Sequence, residues 1–129
     1  MVISAGFMEA GEKGKEMGDY ILGLSKKYNM RIIGPNCLGF IKPSINLNVS
    51  FANKMAKPGK IAFISQSGAL CTAILDWSVD QNVGFSHFVS IGSMIDVGFH
   101  DLIDYFGSDP NTNSIVIYME SLTNAKKFM

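Results

Sequence analysis

The residues best suited to chemistry lie where an apolar run ends in a serine- and glycine-rich turn. Residues 61–64 read Ile-Ala-Phe-Ile, residues 65–68 read Ser-Gln-Ser-Gly, and apolar residues then recur at helical spacing. The first N–H groups of a helix have no partner within it, and the helix dipole is positive at that end. Gly68 would let an anion approach the backbone, and Ser65 and Ser67 would add hydroxyl donors. The turn is therefore a candidate phosphate site.

Two other interpretations of this turn stay open. In the first, Ser67 only caps the helix and Gly68 only makes a tight turn. In the second, Ser67 is the nucleophile of a hydrolase. That elbow requires Gly-x-Ser-x-Gly, whereas this chain has Ser65 and Ala69 at the glycine positions and only two histidines to act as base. The spacing disfavours the hydrolase and does not separate phosphate binding from simple capping.

A carboxylate follows another apolar run near the C-terminus. Glu120 comes directly after residues 114–119, which we predict to be a strand. The carboxyl ends of parallel strands form the edge where open α/β sheets bind ligands. Glu120 could there accept a hydrogen bond from an imidazole and hold that ring in one tautomer; the alternative is a solvated residue at a strand end. Asp96 has the same ambiguity with weaker support.

The histidines and cysteines give weaker signals. His87 and His100 lie outside small-residue loops, so we expect both to be structural or exposed. Cys37 and Cys71 form no CxxC motif and no Cys/His cluster, so we expect neither a disulfide framework nor a metal. Cys71 is typical of a small apolar helix residue, whereas Cys37 lies in a loop-like Gly-Pro-Asn-Cys segment.

Short apolar runs alternate with helix-period segments, which is typical of βαβ units and a parallel sheet. The predicted strands are residues 1–4, 30–33, 60–65, 87–91 and 114–119. Three amphipathic helices lie between them, and a fourth begins at Asn124. Their predicted apolar faces are Met17, Ile21, Leu24 and Tyr28 in the first, Leu70, Ala73, Ile74 and Trp77 in the second, and Phe99, Leu102, Ile103 and Phe106 in the third.

Residues 39–59 interrupt this alternation. They contain Pro43, Pro58 and several asparagines and have no clean period, so we predict a crossover between two domains. The predicted strands on either side of it are too few to close a core. We therefore expect the chain to be part of a larger protein or to be completed by another chain.

The composition argues against several classes of partner. Among 129 residues, 47% are hydrophobic, 17% are charged, and 11 basic residues balance 11 acidic ones. That balance gives no electrostatic reason to expect nucleic acid or an anionic membrane. No apolar run could cross a bilayer, and the first residues lack the apolar core of a signal peptide. We expect a cytoplasmic protein.

Four short motifs occur in one order along the chain. They are Ile-Ser-Ala-Gly-Phe at 3–7, Gly-Pro-Asn-Cys-Leu-Gly at 34–39, Ser-Gln-Ser-Gly-Ala-Leu at 65–70 and Tyr-Met-Glu-Ser-Leu at 118–122. In this order and spacing they resemble the NDP-forming acyl-CoA synthetases, above all the α-type part of the ADP-forming acetyl-CoA synthetases and, more distantly, the succinyl-CoA synthetase α subunit. A tyrosine of the succinate enzymes aligns with Thr72, which argues against succinate.

The resemblance implies an α/β fold in two parts. Residues 1–41 would be the end of a Rossmann-like CoA-binding domain, residues 42–59 a linker, and residues 60–129 the first part of a flavodoxin-like, parallel-sheet domain. The implied activity interconverts acyl-CoA, ADP and phosphate with carboxylic acid, CoA and ATP through an acyl phosphate and a phosphohistidine. ATP, ADP and Mg²⁺ would be bound only by an ATP-grasp β subunit or fused domain, within an oligomer.

The resemblance also implies roles for individual residues. Those expected to hold coenzyme A are Ile3, Ser4 and Ala5, with Asn36 and Cys37 near its thiol. Those expected to receive the phosphate of the phosphohistidine are Ser65, Ser67 and Gly68. Glu120 would steady the histidine, which in the family follows a further strand and helix, so we expect residues 1–129 alone to be inactive.

Two alternatives use the same residues differently. Some protein lysine acetyltransferases carry a ligase-like region that lacks the reactive histidine and serves as a regulatory or binding module. A flavodoxin-like module could instead hold the phosphate of FMN at residues 65–68, and the purified protein would then be yellow.

Overall fold

The computed structural model describes residues 1–122 and 125–129, which form one mixed sheet covered by helices. The helices are α1 (Glu12–Lys27), α2 (Gly68–Asp80), α3 (Phe99–Gly107) and α4 (Ala125–Phe128). The strands are β1 (Gly39–Lys42), β2 (Leu47–Ser50), β3 (Lys57–Ser65), β4 (Gly84–Ser90) and β5 (Ser114–Tyr118). None of the helices in the described part of the chain could span a bilayer. The predicted helix start at Asn124 lies outside the described residues.

The sheet has the order β2-β1-β4-β3-β5. Strand β3 pairs in parallel with β4 on one side and β5 on the other. These are the three strands predicted after residue 60, with bounds shifted by a few residues, so the α/β class and the parallel core are confirmed. Because β3, β4 and β5 all point the same way, their carboxyl ends lie at one edge of the sheet.

The interpretation of residues 39–59 as an irregular crossover is wrong. Strands β1 and β2 pair with each other, and β1 also pairs with β4, antiparallel in both cases. Each of these strands has only four residues. Strand β2 lies at the sheet edge with no buried residue, and β1, although it is paired on both sides and buries Ile41, is too short to show a period. Whether residues 42–59 separate two domains stays a prediction.

Apolar side chains alternate between the two faces of the sheet, as the period of a strand requires. On β3, Ala62 and Ile64 pack toward α3, while Phe63 packs toward α2. The α3 layer holds Val89, Leu102 and Phe106, among others. The α2 layer contains Leu38, Ile41, Phe63, Cys71, Leu75, Phe85 and Phe88. The sheet is therefore fixed from both sides.

The predicted apolar face is confirmed for α3 but wrong for α1 and α2. In α1 the buried residues are Gly14, Gly18 and Ser25, while Met17 is 52% exposed. A Cβ at Gly14 would lie 1.9 Å from the carbonyl oxygen of Phe7, so the glycines let the preceding turn pack on the helix.

In α2 the buried residues are Cys71, Leu75 and Ser78, and Trp77 is 53% exposed. Cys71 thus proves to be a small core residue, as predicted. Small residues that permit close packing carry little weight in a hydrophobic pattern, which explains both errors.

The predicted strands at residues 1–4 and 30–33 are also wrong. The two segments run side by side, joined by hydrogen bonds from the Val2 N–H to the Ile33 carbonyl and from the Asn36 N–H to the Ser4 carbonyl, each 3.0 Å. On their other side, residues 30–33 pair with the loop between β4 and α3, since the Ile32 carbonyl accepts from the Val97 N–H at 3.1 Å. Extended backbone paired with a loop does not form a regular ladder.

The stacked phenylalanines between the sheet and α2 should dominate stability. The ring of Phe88 stacks on Phe63 at 4.9 Å and meets Phe85 edge-on at 5.1 Å, and Phe88 is 1% exposed. We expect Phe88→Ala to lower the free energy of unfolding by about 3–5 kcal/mol. Phe51→Ala, at a phenylalanine that is 62% exposed, should change it by less than about 0.5 kcal/mol. Denaturant titration of both variants tests this; equal losses would contradict the packing argument.

Candidate functional site

A cavity of about 340 Å³ lies at the carboxyl edge of the parallel strands. Each of those strands contributes to it through the residues that follow its end: Gln66 after β3, Gly92 and Ser93 after β4, Glu120 and Ser121 after β5. Asn36 and the turn at Met8 and Glu9 complete the lining. The structure therefore brings together two of the predicted site residues, Asn36 and Glu120, which are 84 positions apart in the sequence.

The turn between β3 and α2 is held together by its own serines. Ser65 is fully buried, and its hydroxyl donates to the Ser67 carbonyl at 3.1 Å and accepts from the Ser67 N–H at 3.0 Å. Ser67 is the N-cap of α2, and its hydroxyl accepts from the Leu70 N–H at 3.3 Å. Ser67 therefore caps α2, which does not exclude a further role for its hydroxyl, and Ser65 positions the turn.

Capping leaves part of the helix N-terminus free. The Cys71 N–H is the first of α2 to bond a backbone carbonyl, that of Ser67. The N–H groups of Gly68 and Ala69 find no acceptor within residues 1–122 and 125–129. A Cβ built at Gly68 would meet nothing within 4 Å. This end of α2 has the donors and open space that an anion needs, although Ser67 and Gly68 themselves do not line the cavity.

Gln66 is a site residue that the sequence analysis missed. Its side-chain Oε1 accepts from the Glu120 N–H at 2.7 Å and from the Ser121 N–H at 2.9 Å. Its Nε2 donates to the Ser121 hydroxyl at 3.2 Å. A long polar side chain directly after a buried parallel strand was the available signal, since that edge binds ligands.

The loop that carries Asn36 docks on the loop after β4. The Pro35 carbonyl accepts from the Ser93 N–H at 2.9 Å, and the Gly34 carbonyl accepts from the Ile95 N–H at 3.2 Å. A Cβ at Gly92 would lie 2.4 Å from the Asn36 carbonyl oxygen, and φ there is +53°. Only glycine allows this approach, which sets Asn36 against the cavity.

The remaining predicted CoA residues lie beside the cavity without lining it. Residues 3–5 are exposed and connect to the cavity through the bond from the Asn36 N–H to the Ser4 carbonyl. Cys37 is 3% exposed, and its thiol faces the Val2 carbonyl at 3.4 Å. Burial raises the pKa of both thiols, that of Cys71 to about 11. Neither thiol is therefore a nucleophile at neutral pH.

Asp96 has a structural role. Its carboxylate accepts from the backbone N–H of Ile32 at 2.7 Å and pairs with the Arg31 guanidinium at 3.1 Å. Arg31 also bonds Asp101 at 2.9 Å. Burial raises the pKa of Asp101, but hydrogen bonds from the Gly98 N–H and Arg31 outweigh it and lower the pKa overall. These pairs join the N-terminal segment to the start of α3.

Neither histidine of the chain lines the cavity. His100 is partly exposed and pairs with its neighbour Asp101 at 3.3 Å. His87 is 6% exposed and packs against Tyr105 and Phe106, with its Nδ1 3.5 Å from Asp109. Both histidines are structural or exposed, as predicted.

Comparison with known proteins places the chain in a family. The model of the succinyl-CoA ligase-like flavodoxin domain matches residues 58–129, more than half of the chain. The chain belongs to this family.

Similarity extends over the whole chain. It is 45% identical over 129 residues to the ADP-forming acetate–CoA ligase of Methanocaldococcus jannaschii. It is 41% identical to the α subunit of ADP-forming acetate–CoA ligase II of Pyrococcus furiosus. It spans only 18% and 28% of these two relatives.

A solved structure also matches nearly the whole chain. The dinucleotide-forming acetyl-coenzyme A synthetase 1 of Ca. Korarchaeum cryptofilum, in complex with phosphate and ADP, matches 98% of this chain and 27% of its own, with a TM-score of 0.92 and 39% identity. The resemblance of this chain to the ADP-forming acetyl-CoA synthetases is therefore confirmed.

His87 should make the fold sensitive to acid. Burial lowers the pKa of His87 and the nearby charge of Lys42 lowers it further, whereas Asp109 raises it. As the pH falls below about 6.5, the unfolded chain takes up a proton that the folded chain resists. The free energy of unfolding should then decrease as the pH falls below about 6.5.

His87→Leu should flatten this dependence, whereas His100→Gln, which keeps His87, should retain it. Denaturant titration at half-unit pH steps measures the slope. An unchanged slope in His87→Leu would show that another group is responsible.

Proposed function

We propose that this chain is part of an acid–thiol ligase of the ADP-forming acetyl-CoA synthetase type. The whole enzyme interconverts acyl-CoA, ADP and phosphate with carboxylic acid, CoA and ATP. The observation that carries the proposal is the meeting of Asn36, Gln66 and Glu120 around one cavity beside the N-terminus of α2. The ligase relatives and the phosphate and ADP bound in the related structure support it.

The start of α2 receives the phosphoryl group. The free N–H groups of Gly68 and Ala69 and the positive end of the helix dipole suit a dianion, and the Ser67 hydroxyl keeps its hydrogen to donate while it caps the helix. Ser65 acts through the turn, because its hydroxyl is bonded to Ser67. The role of this residue is positioning rather than direct contact.

Glu120 steadies a histidine that residues 1–129 do not supply. His87 is buried behind α3, and His100 pairs with Asp101, so neither can reach the cavity without leaving its packing. The phosphohistidine therefore comes from another segment of the whole protein. When it enters, the Glu120 carboxylate accepts its ring N–H and fixes the tautomer.

Coenzyme A binds along the N-terminal segment. Ile3, Ser4 and Ala5 are exposed beside Asn36, so a chain of polar and apolar contacts can run from this segment into the cavity. Cys37 shapes the loop near the CoA thiol from its buried position. ATP, ADP and Mg²⁺ bind to the ATP-grasp partner, and the assembly is a cytoplasmic oligomer.

The acetyltransferase alternative has no support from the relatives named above, which are ligases. The reading frame around this chain separates the two proposals. A histidine in a small-residue loop about one βα unit beyond Glu120 fits the ligase; its absence, followed by an acetyltransferase segment, fits a regulatory module.

Gly68→Ala should weaken phosphate binding without harming the fold. The added methyl group has space within the protein but would occupy the approach to the free N–H groups. We expect the KM for phosphate of the whole enzyme to rise roughly tenfold or more, since one charge-assisted hydrogen bond contributes about 1.5–3 kcal/mol. Gly23→Ala, in the exposed part of α1 with equally open space, is the matched control and should leave this KM unchanged. Equal phosphate KM values in the two variants would argue against the α2 site.

Glu120→Gln should slow phosphorylation of the whole enzyme. A neutral amide accepts the imidazole N–H more weakly than a carboxylate, so we expect acyl-phosphate-dependent labelling to fall roughly 10- to 100-fold. Rapid-quench measurement of the acid-labile phosphoenzyme tests this. Residues 1–129 alone should give no labelling, and acyl-CoA-dependent ATP formation by this segment alone would refute the proposal.

A further inference from the structure

The side chain of Gln66 continues the pairing of β3 with β5 after the β3 backbone has left the sheet. The Gln66 N–H donates to the Tyr118 carbonyl at 3.2 Å. In a regular parallel ladder, the next bond would run from the Glu120 N–H to the backbone carbonyl of Gln66. In this protein the backbone turns into α2 at that point, and the Glu120 N–H donates to the side-chain Oε1 of Gln66 at 2.7 Å instead.

The same amide also holds the next residue. Oε1 accepts a second bond from the Ser121 N–H at 2.9 Å, and Nε2 donates to the Ser121 hydroxyl at 3.2 Å. A primary amide carries the acceptor and the donor of a peptide group, so it stands in for the missing peptide of β3. Asparagine is one methylene shorter, and glutamate has no N–H to donate.

Packing does not hold Glu120 in place. It lies two residues beyond the end of β5, and its side chain is exposed. The two bonds to Gln66 Oε1 therefore anchor the backbone from which the carboxylate projects. A reacting group displaced by about 1 Å can lose roughly 100-fold in rate.

We propose that Gln66 is a positioning residue that sets the place of Glu120 at the cavity wall and so controls the phosphoryl-transfer step. The inference rests on the proposed function, because Glu120 matters only if it steadies a histidine. The inference adds a link between two parts of the proposed site. The side chain of Gln66 joins the turn that binds phosphate to the segment that carries the Glu120 carboxylate.

A double-mutant cycle in the full-length protein tests this coupling. We expect Gln66→Leu to lower kcat roughly 10- to 100-fold and to leave the KM for CoA unchanged. In a Glu120→Gln background the same change should cost less than about twofold, since a residue that acts through Glu120 has little left to position. Gln66→Glu keeps the acceptor for both N–H groups and should retain more activity than Gln66→Leu.

Gln81→Leu is the matched control. Gln81 follows the last turn of α2, is exposed and does not line the cavity, so its loss should leave kcat unchanged. Similar melting temperatures for the Gln81 and Gln66 variants would show that a lower kcat in Gln66→Leu comes from lost positioning of Glu120 and not from unfolding. An unchanged kcat in Gln66→Leu, or the same fold-loss with and without the Glu120 carboxylate, would overturn the inference.

A wild-type protein without ligase activity would instead reject the proposed function. The positioning claim is then decided by amide hydrogen exchange. We expect the N–H groups of Glu120 and Ser121 to exchange faster in Gln66→Leu than in Gln81→Leu. The N–H of Val116, which lies within β5 and faces β3, should exchange equally in both. Equal exchange at Glu120 would show that Gln66 does not anchor it.

Discussion

The site depends on how the backbone hydrogen bonds of β3 are completed where that strand leaves the sheet. Strand β3 is paired on both sides, so the departure of its backbone into α2 exposes donors and acceptors of both neighbours. On one side the Ser65 carbonyl still accepts from the Ile91 N–H at 2.9 Å. On the other side the Gln66 side chain takes over the pairing with β5. The polar groups that complete the sheet edge are thus the ones that shape the cavity.

The close approach of the N-terminal segment to this edge is the second requirement. Gly92 allows the loop after β4 to contact the loop around Asn36, and the ion pairs of Arg31 with Asp96 and Asp101 hold the same segments farther along. Exposed ion pairs contribute little to stability by themselves. The backbone hydrogen bonds between the two loops therefore do most to fix their relative position. The ion pairs of Arg31 help to select that position.

The proposed chemistry follows from this division of roles. The turn residues use their side chains to hold the backbone, which leaves backbone N–H groups as the donors for phosphate. Backbone donors fixed by a helix need no reorganisation when charge arrives, which is what a phosphoryl site requires. The Glu120 carboxylate follows the end of the neighbouring strand β5, so the two functions can be tuned separately while Gln66 keeps them in register.

By itself the sequence determined the parallel core, the helix start at Ser67, the apolar face of α3 and the family, because buried strands and caps leave strong local patterns. It also singled out Asn36 and Glu120, which the fold brings to the same cavity. It could not reveal β1 and β2, which are only four residues long, or the glycine face of α1, whose packing depends on what approaches it. It gave no role to Gln66, since a glutamine after a strand has many possible partners. Only the tertiary structure decided that partner, because the vacancy that Gln66 fills exists only once β5 lies beside β3 and the backbone has turned away.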